Sequence, residues 1–162
     1  MEVFNLATGE LGRDHGDIDG WRARSQRIGN RLGAEDIGGT VYELEDGQRV
    51  WPYHYHHGVE EWLLVIDGAP LLRGPDGERV MRPGDIVCFP SGDAGAHDVR
   101  GPGRFLLVSA AQPTSVCVYP DSDKVGVWPP GKRFRLSAES IDYWEGEAEP
   151  ESPSSSTNPT ET

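Results

Sequence analysis

The chain reads as a single all-β domain, and three observations carry that reading. It holds 21 Gly and 13 Pro in 162 residues, a density of turn formers that favours many short elements over long helices. Between Thr40 and Pro120 turn chemistry recurs at intervals of roughly eight to twelve residues, the spacing of a sandwich or barrel of short strands. Over the same region no stretch shows apolar residues at helical spacing. The length suits one domain with a real core and is too short for two of ordinary size.

Taken in order, the first twenty residues are rich in Gly and Asp and show no period, so they are expected to form an irregular N-terminal arm with His15 solvated. Residues Trp21 to Leu32 (WRARSQRIGNRL) fit either a strand or a short helix. Thr40 to Leu44 is a β-branched and aromatic strand closed by the turn EDGQ. The strands expected next are VWPYHYH, the buried run Trp62 to Ile66, then PLLR, RVMR, IVCFP, DVR, FLLVSA and SVCVYP, separated by Gly, Pro and Asp turns. Past Pro120 the pattern loosens around an isolated Trp128. The segment SAESIDYWEGE is expected to form a last helical turn or an edge that lays Tyr143 and Trp144 against the barrel. Residues 147–162 contain no aromatic or large aliphatic side chain, and such a segment cannot offset its ordering entropy, so a disordered acidic tail is expected. The resulting divisions are 1–36 (arm and strand region), 37–120 (barrel), 121–146 (a segment packing on the barrel) and 147–162 (tail).

Charge narrows the partners. The formal net charge is -12, and seven acids with no Lys or Arg lie between Glu139 and Thr162. An acidic chain without a basic stripe has nothing to replace the counterions around phosphates, so nucleic acid and anionic membranes are set aside. The two cysteines, Cys88 and Cys117, sit in apolar strands without a CxxC, which predicts buried thiols rather than a disulfide framework or a Cys-based zinc site. The N-terminal residues lack a signal-peptide pattern and no long apolar run occurs, so a soluble, cytoplasmic protein is expected.

The chemistry is concentrated in residues 47–68, GQRVWPYHYHHGVEEWLLVIDG. Alternate side chains of a strand share a face, so His54 and His56 point together while Tyr55 points away. A turn at His57 and Gly58 would bring the chain back with Glu60 or Glu61 beside them. If Glu61 faces inward so do Leu63 and Val65; if Glu60 does, so do Trp62 and Leu64, and periodicity alone leaves this open. His97, one hairpin further on, is a fourth candidate. Three imidazoles and a carboxylate suit Mn, Fe, Co, Ni, Cu or Zn and leave open positions on a six-coordinate ion.

These residues resemble the two motifs of the cupin superfamily. His54, His56, four residues, Glu61, six residues and Gly68 match the first, whose last spacing favours Glu61 over Glu60; the leading Gly47 stands one residue too far away. Gly84, Pro90 and Gly92 match the second, but four residues instead of two precede His97, and Gly101 stands where Asn is usual. The resemblance covers residues 47–101. It implies a double-stranded β-helix, a small jelly-roll barrel whose mouth holds a divalent metal on His54, His56, Glu61 and His97, and it implies a homodimer.

Fold does not assign a reaction. The expectation is a small metalloenzyme of dioxygenase, isomerase or decarboxylase type acting on a small anionic or polyhydroxylated metabolite, with a non-catalytic binding module as the alternative. Glu60 and His57 are candidates for second-rank support or a proton shuttle, although solvated rim positions are the commoner fate of such residues. Trp51, Tyr53, Tyr55 and Trp62 are expected mainly to pack or to form an interface. Arg73, Arg79 and Arg82 are expected at solvated strand ends. No catalytic residue is assigned.

Overall fold

The computed structural model describes residues 1–146 apart from Asp17 and Trp144. The tail 147–162, Trp144 and the side chain of His15 therefore lie outside the described residues, and the expectations for them with it. The regular structure of the described chain is mostly antiparallel strand. In order they are β1 (Arg13–His15), β2 (Ala23–Arg27), the short helix α1 (Ile28–Leu32), β3 (Ile37–Leu44), β4 (Tyr55–His57), β5 (Glu61–Gly68), β6 (Leu71–Gly74), β7 (Gly77–Val80), β8 (Ile86–Phe89), β9 (Asp98–Arg100), β10 (Gly103–Ala110), β11 (Ser115–Tyr119), β12 (Lys124–Trp128) and β13 (Lys132–Arg135). This is the jelly-roll, double-stranded β-helix architecture. No described helix is long and apolar enough to cross a membrane.

One wall is a six-stranded sheet in the order β1-β2-β3-β10-β5-β8; the other consists of a four-stranded sheet, β13-β12-β11-β4, and a three-stranded sheet, β7-β6-β9. Those two smaller sheets meet at a single bridge between His54 and His97. Leu44, Leu63, Val65, Met81, Phe89, Val99 and Phe105 fill the interior. Strand β5 shows how the filling follows from sequence. Glu61, Leu63 and Val65 are buried while Trp62 is 44% exposed, so the run expected to be buried is buried on one face only, as an antiparallel sheet with one solvated face requires.

Several expectations change. Residues 21–32 do not choose between strand and helix but contain both, β2 followed by α1, which ends at Gly33 in the left-handed conformation (φ 76°). The arm is not wholly irregular, because β1 pairs with β2. Phe4 and Leu6 pack with Leu11, Ile28 and Val41 over the outer face of the six-stranded sheet. Arg104 holds the arm there, its guanidinium donating to the carbonyls of Leu6 (2.8 Å) and Gly9 (2.5 Å) while it pairs with Glu43 at 2.9 Å. No periodicity announces such a contact, which joins residues almost a hundred positions apart.

The segment VWPYHYH is not one strand. Only Tyr55–His57 enters the ladder beside β11, Pro52 supplying no donor to an earlier ladder bond. Beyond Pro120 the chain is more regular than its sequence suggests, since β12 and β13 form a hairpin on β11. Ile141 and Tyr143 are exposed, Tyr143 at 82%, rather than laid against the barrel. Cys117 is buried as expected, but Cys88 is only half-buried, and both are free thiols.

Candidate metal centre and its mouth

His54, His56, Glu61 and His97 come from three places in the sequence and converge at one end of the barrel. Gly58, at φ 79°, makes the left-handed turn that sends the chain from β4 into β5, and the parity of β5 then settles which acid faces inward. Glu61 is buried with Leu63 and Val65. Glu60 is exposed and accepts a 2.7 Å hydrogen bond from Trp62 Nε1. His57 is exposed and makes an edge contact with Tyr55, on the face of β4 opposite His54 and His56. The two shuttle candidates thus stand outside the site.

The second motif departs from family spacing for reasons visible in the backbone. The four residues Asp93 to Ala96 include a 3₁₀ turn, Asp93–Gly95, and the Gly95 carbonyl accepts a 2.9 Å hydrogen bond from His97 Nδ1. The additional residues therefore orient the histidine. At Gly101 any Cβ would overlap the carbonyl oxygen of Glu45, so the usual Asn has no room.

The two buried rings are fixed in a common tautomer. His54 Nδ1 donates to Pro52 O at 2.9 Å, as His97 Nδ1 does to Gly95 O, so each Nε2 carries the lone pair; such outer hydrogen bonds orient metal-binding imidazoles. His97, 1% exposed, also stacks on Phe89 at 3.7 Å. Trp51 sets its edge against both rings at 6.0 and 6.1 Å, which places this aromatic in packing, as expected. Glu61 Oε2 lies 3.5 Å from His56 Nε2 and 3.6 Å from His97 Nε2, and the donor atoms of His54, Glu61 and His97 lie within 4.8 Å of one another.

Electrostatics make this an unsatisfied cluster. Burial, reinforced by the neighbouring histidines, pushes the His54 imidazolium down to about 3; burial does the same for His97, to about 4, and lowers His56. Burial raises the Glu61 carboxyl to about 7. Glu61 Oε2, His97 Nε2 and His56 Nδ1 are buried without a hydrogen-bond partner, and an orphaned buried polar atom costs about 1–3 kcal/mol. A divalent transition ion fits these donors: ligand atoms about 2.1 Å from an ion lie about 3–4 Å from one another, as the Glu61 contacts do.

Two residues at the mouth escape sequence reasoning as site candidates. Cys117 sits opposite His56 on the adjoining strand, and its sulfur groups with the nitrogens of His54 and His56 within 4.8 Å. Tyr119 stacks on His54 at 5.8 Å and 24°. Its hydroxyl is within hydrogen-bonding reach of Cys117 and Arg133, and burial pushes it up to about 12. The alternation of SVCVY was the available signal, but the partner strand was not readable. The other expected residues lie elsewhere. Arg73 is no free strand end: its guanidinium stacks on Tyr53 at 3.8 Å and grips Asp121 through two hydrogen bonds of 2.5 and 3.1 Å. Arg79 and Arg82 are exposed.

A cluster of imidazoles and one carboxylate inside a jelly roll defines a class of candidate metal-site barrel, and comparison with known proteins addresses its fold. The cupin-domain family profile matches residues 40–109. Residues 40–109 of the chain therefore form a cupin domain. Among solved structures it is similar to a sugar phosphate isomerase of the cupin superfamily from Silicibacter pomeroyi, with 27% identity over 88% of this chain and 98% of that one and a TM-score of 0.72. It is also similar to a candidate sugar phosphate isomerase from Acidithiobacillus ferrooxidans (24% identity, 76% and 83% covered, TM-score 0.67). The polyketide cyclase RemF from Streptomyces resistomycificus shares the fold (20% identity, 69% and 80% covered, TM-score 0.55). No curated protein sequence matches the chain.

Proposed function

We propose that this chain is a divalent-metal cupin enzyme that isomerises a small phosphorylated, polyhydroxylated metabolite. The observation that carries the metal assignment is the convergence of His54, His56, Glu61 and His97, with two Nδ1 atoms tied to carbonyls and the buried Glu61 Oε2 and His97 Nε2 left without partners. Similarity to the Silicibacter pomeroyi isomerase over nearly all of both chains supports the reaction class.

In this reading the three imidazoles and Glu61 hold the ion, which supplies Lewis acidity to a substrate carbonyl or hydroxyl oxygen. The protein's own groups do the rest. His56 is the most exposed of the four and marks the solvent side of the site. Phe89, Trp51 and Phe105 close the inner side against water. Tyr119 remains protonated at neutral pH and offers a hydrogen-bond donor at the mouth, beside His54.

The test is elemental analysis of protein purified without a histidine tag, followed by proton exchange and interconversion assays on a panel of aldose and ketose phosphates. About one metal equivalent per chain and turnover of at least one member are expected. Absence of metal from the native protein and after reconstitution overturns the site. Tight binding of these ligands without interconversion overturns the isomerase assignment.

A further inference from the structure

We infer that the hairpin β12–β13 carries an anion-binding ledge, formed by Arg133 and Lys124 beside the metal centre, that receives the phosphoryl group of the substrate. This rests on the proposed metal site but uses residues that lie two and three strands away from it.

Register places these side chains. Residues directly opposite across antiparallel strands present their side chains on the same face. His56 faces Cys117, Cys117 faces Gly126, and Gly126 faces Arg133, so one row runs from the metal centre to the far strand of the sheet. The next row joins Tyr119, Lys124 and Arg135. Gly126 leaves the middle of the first row open: a Cβ there would strike the Trp128 ring and lie 3.6 Å from Arg133 Cγ. The Trp128 ring fills that space, and the Arg133 guanidinium lies 5.1 Å from its centroid, with the Tyr119 hydroxyl nearby. Lys124 Nζ sits 5.2 Å from the Tyr119 ring centroid. The aromatic side chain that stacks on His54 therefore carries Lys124 over its ring and has Arg133 as a charged neighbour.

The charge pattern points the same way. From Lys124 to Arg135 the sequence carries Lys124, Lys132, Arg133 and Arg135 and no acid, in a chain of net charge -12. Arg135 approaches Asp123 at 3.9 Å, whereas among the described residues neither Lys124 nor Arg133 has a carboxylate within ion-pair distance. Lys124, Arg133, Arg135 and Ser122 line one shallow depression, and the buried Ser122 hydroxyl has no hydrogen-bond partner. Two cations without a carboxylate partner, with an unsatisfied hydroxyl beneath them, form a donor-rich patch, the complement of a phosphate monoester. A sugar phosphate would lay its phosphate on this ledge and direct its hydroxyl or carbonyl end past Tyr119 to the metal.

The experiment compares binding of glucose 6-phosphate and glucose to the purified full chain by calorimetry, together with metal content. Preference for the phosphorylated sugar by at least tenfold is expected, reduced about tenfold or more in Arg133→Gln and in Lys124→Gln, largely restored in Arg133→Lys, with metal content and circular dichroism unchanged. Equal affinity for the two sugars, or a preference unaltered in both neutral variants, overturns the ledge. If Arg133→Gln fails to fold, Lys124→Gln carries the comparison alone. His56→Ala separates the two readings: loss of metal with the phosphate preference retained supports the ledge, whereas loss of the preference together with the metal assigns phosphate binding to the ion and overturns it.

Discussion

His54 and His97 exchange both of their backbone hydrogen bonds, His54 N–H to His97 O at 3.1 Å and His97 N–H to His54 O at 2.8 Å, and their rings stand 4.7 Å apart. This one bridge joins the two smaller sheets and at the same time sets two ligand candidates side by side. The site is thus part of the seam that closes the barrel.

Gly95→Ala is expected to damage that seam without touching a ligand. A Cβ at Gly95 would overlap the carbonyl of Pro90, forcing the 3₁₀ turn to move the carbonyl that orients His97. Metal affinity should fall at least tenfold, within the range typical of lost orienting hydrogen bonds, about 10–100-fold. Competition against a chromogenic chelator measures it; unchanged affinity would show that the turn does not position the ring.

Metal binding should release a proton below neutral pH. The buried Glu61 carboxyl titrates at about 7, so at lower pH it must lose its proton to become a ligand, whereas His54 and His97 are already neutral down to about 3 and 4. Affinity should therefore rise about tenfold per pH unit up to about 7 and then level off. Calorimetry in buffers of different ionisation enthalpy counts the proton, and Glu61→Gln should abolish its release.

The metal-free protein should lose stability as pH falls from about 6.5. In that window the unfolded chain protonates its histidines while the folded His54, His56 and His97 resist, so the unfolded state binds more protons. Glu61 acts in the opposite sense, because its folded value is raised: the stability it contributes is present below about 4.5 and fades as pH rises through 7. His54 and His97, with His56 acting in the same direction, outweigh one carboxyl between about 4.5 and 6.5, so urea midpoints should shift downward on acidification. Bound metal should hold the midpoint up until the ligands protonate, and a midpoint independent of pH would contradict the buried neutral histidines.

The parity of β5 and β8 gives a packing test. Leu63→Ala removes a side chain 1% exposed and should cost about 2–5 kcal/mol. Ile86→Ala, on the solvated face and 58% exposed, should stay within about 1 kcal/mol. Comparable losses in chemical denaturation would mean that the outer face is covered, as the expected homodimer would cover it.

Arg104→Ala should free the N-terminal arm. Hydrogen bonds to a charged group contribute about 1.5–3 kcal/mol, and Arg104 makes three such contacts with Leu6, Gly9 and Glu43. Faster hydrogen exchange and proteolysis of residues 4–11, with metal content intact, are the expected signs.

The sequence by itself determined the all-β class, the turn positions and the four metal-ligand candidates, because strand alternation, Gly and Pro turns and the motif spacing are local properties of the chain. It left Glu60 and Glu61 undecided by periodicity, and motif spacing favoured the residue that β5 buries. Tertiary structure decided what depends on partners distant in sequence. These include the His54–His97 seam, the insertion that orients His97, the arm held by Arg104, and the row from His56 through Cys117 and Gly126 to Arg133. Alternation fixes which face a side chain takes within its own strand, but only the pairing of strands determines which side chains meet across the sheet.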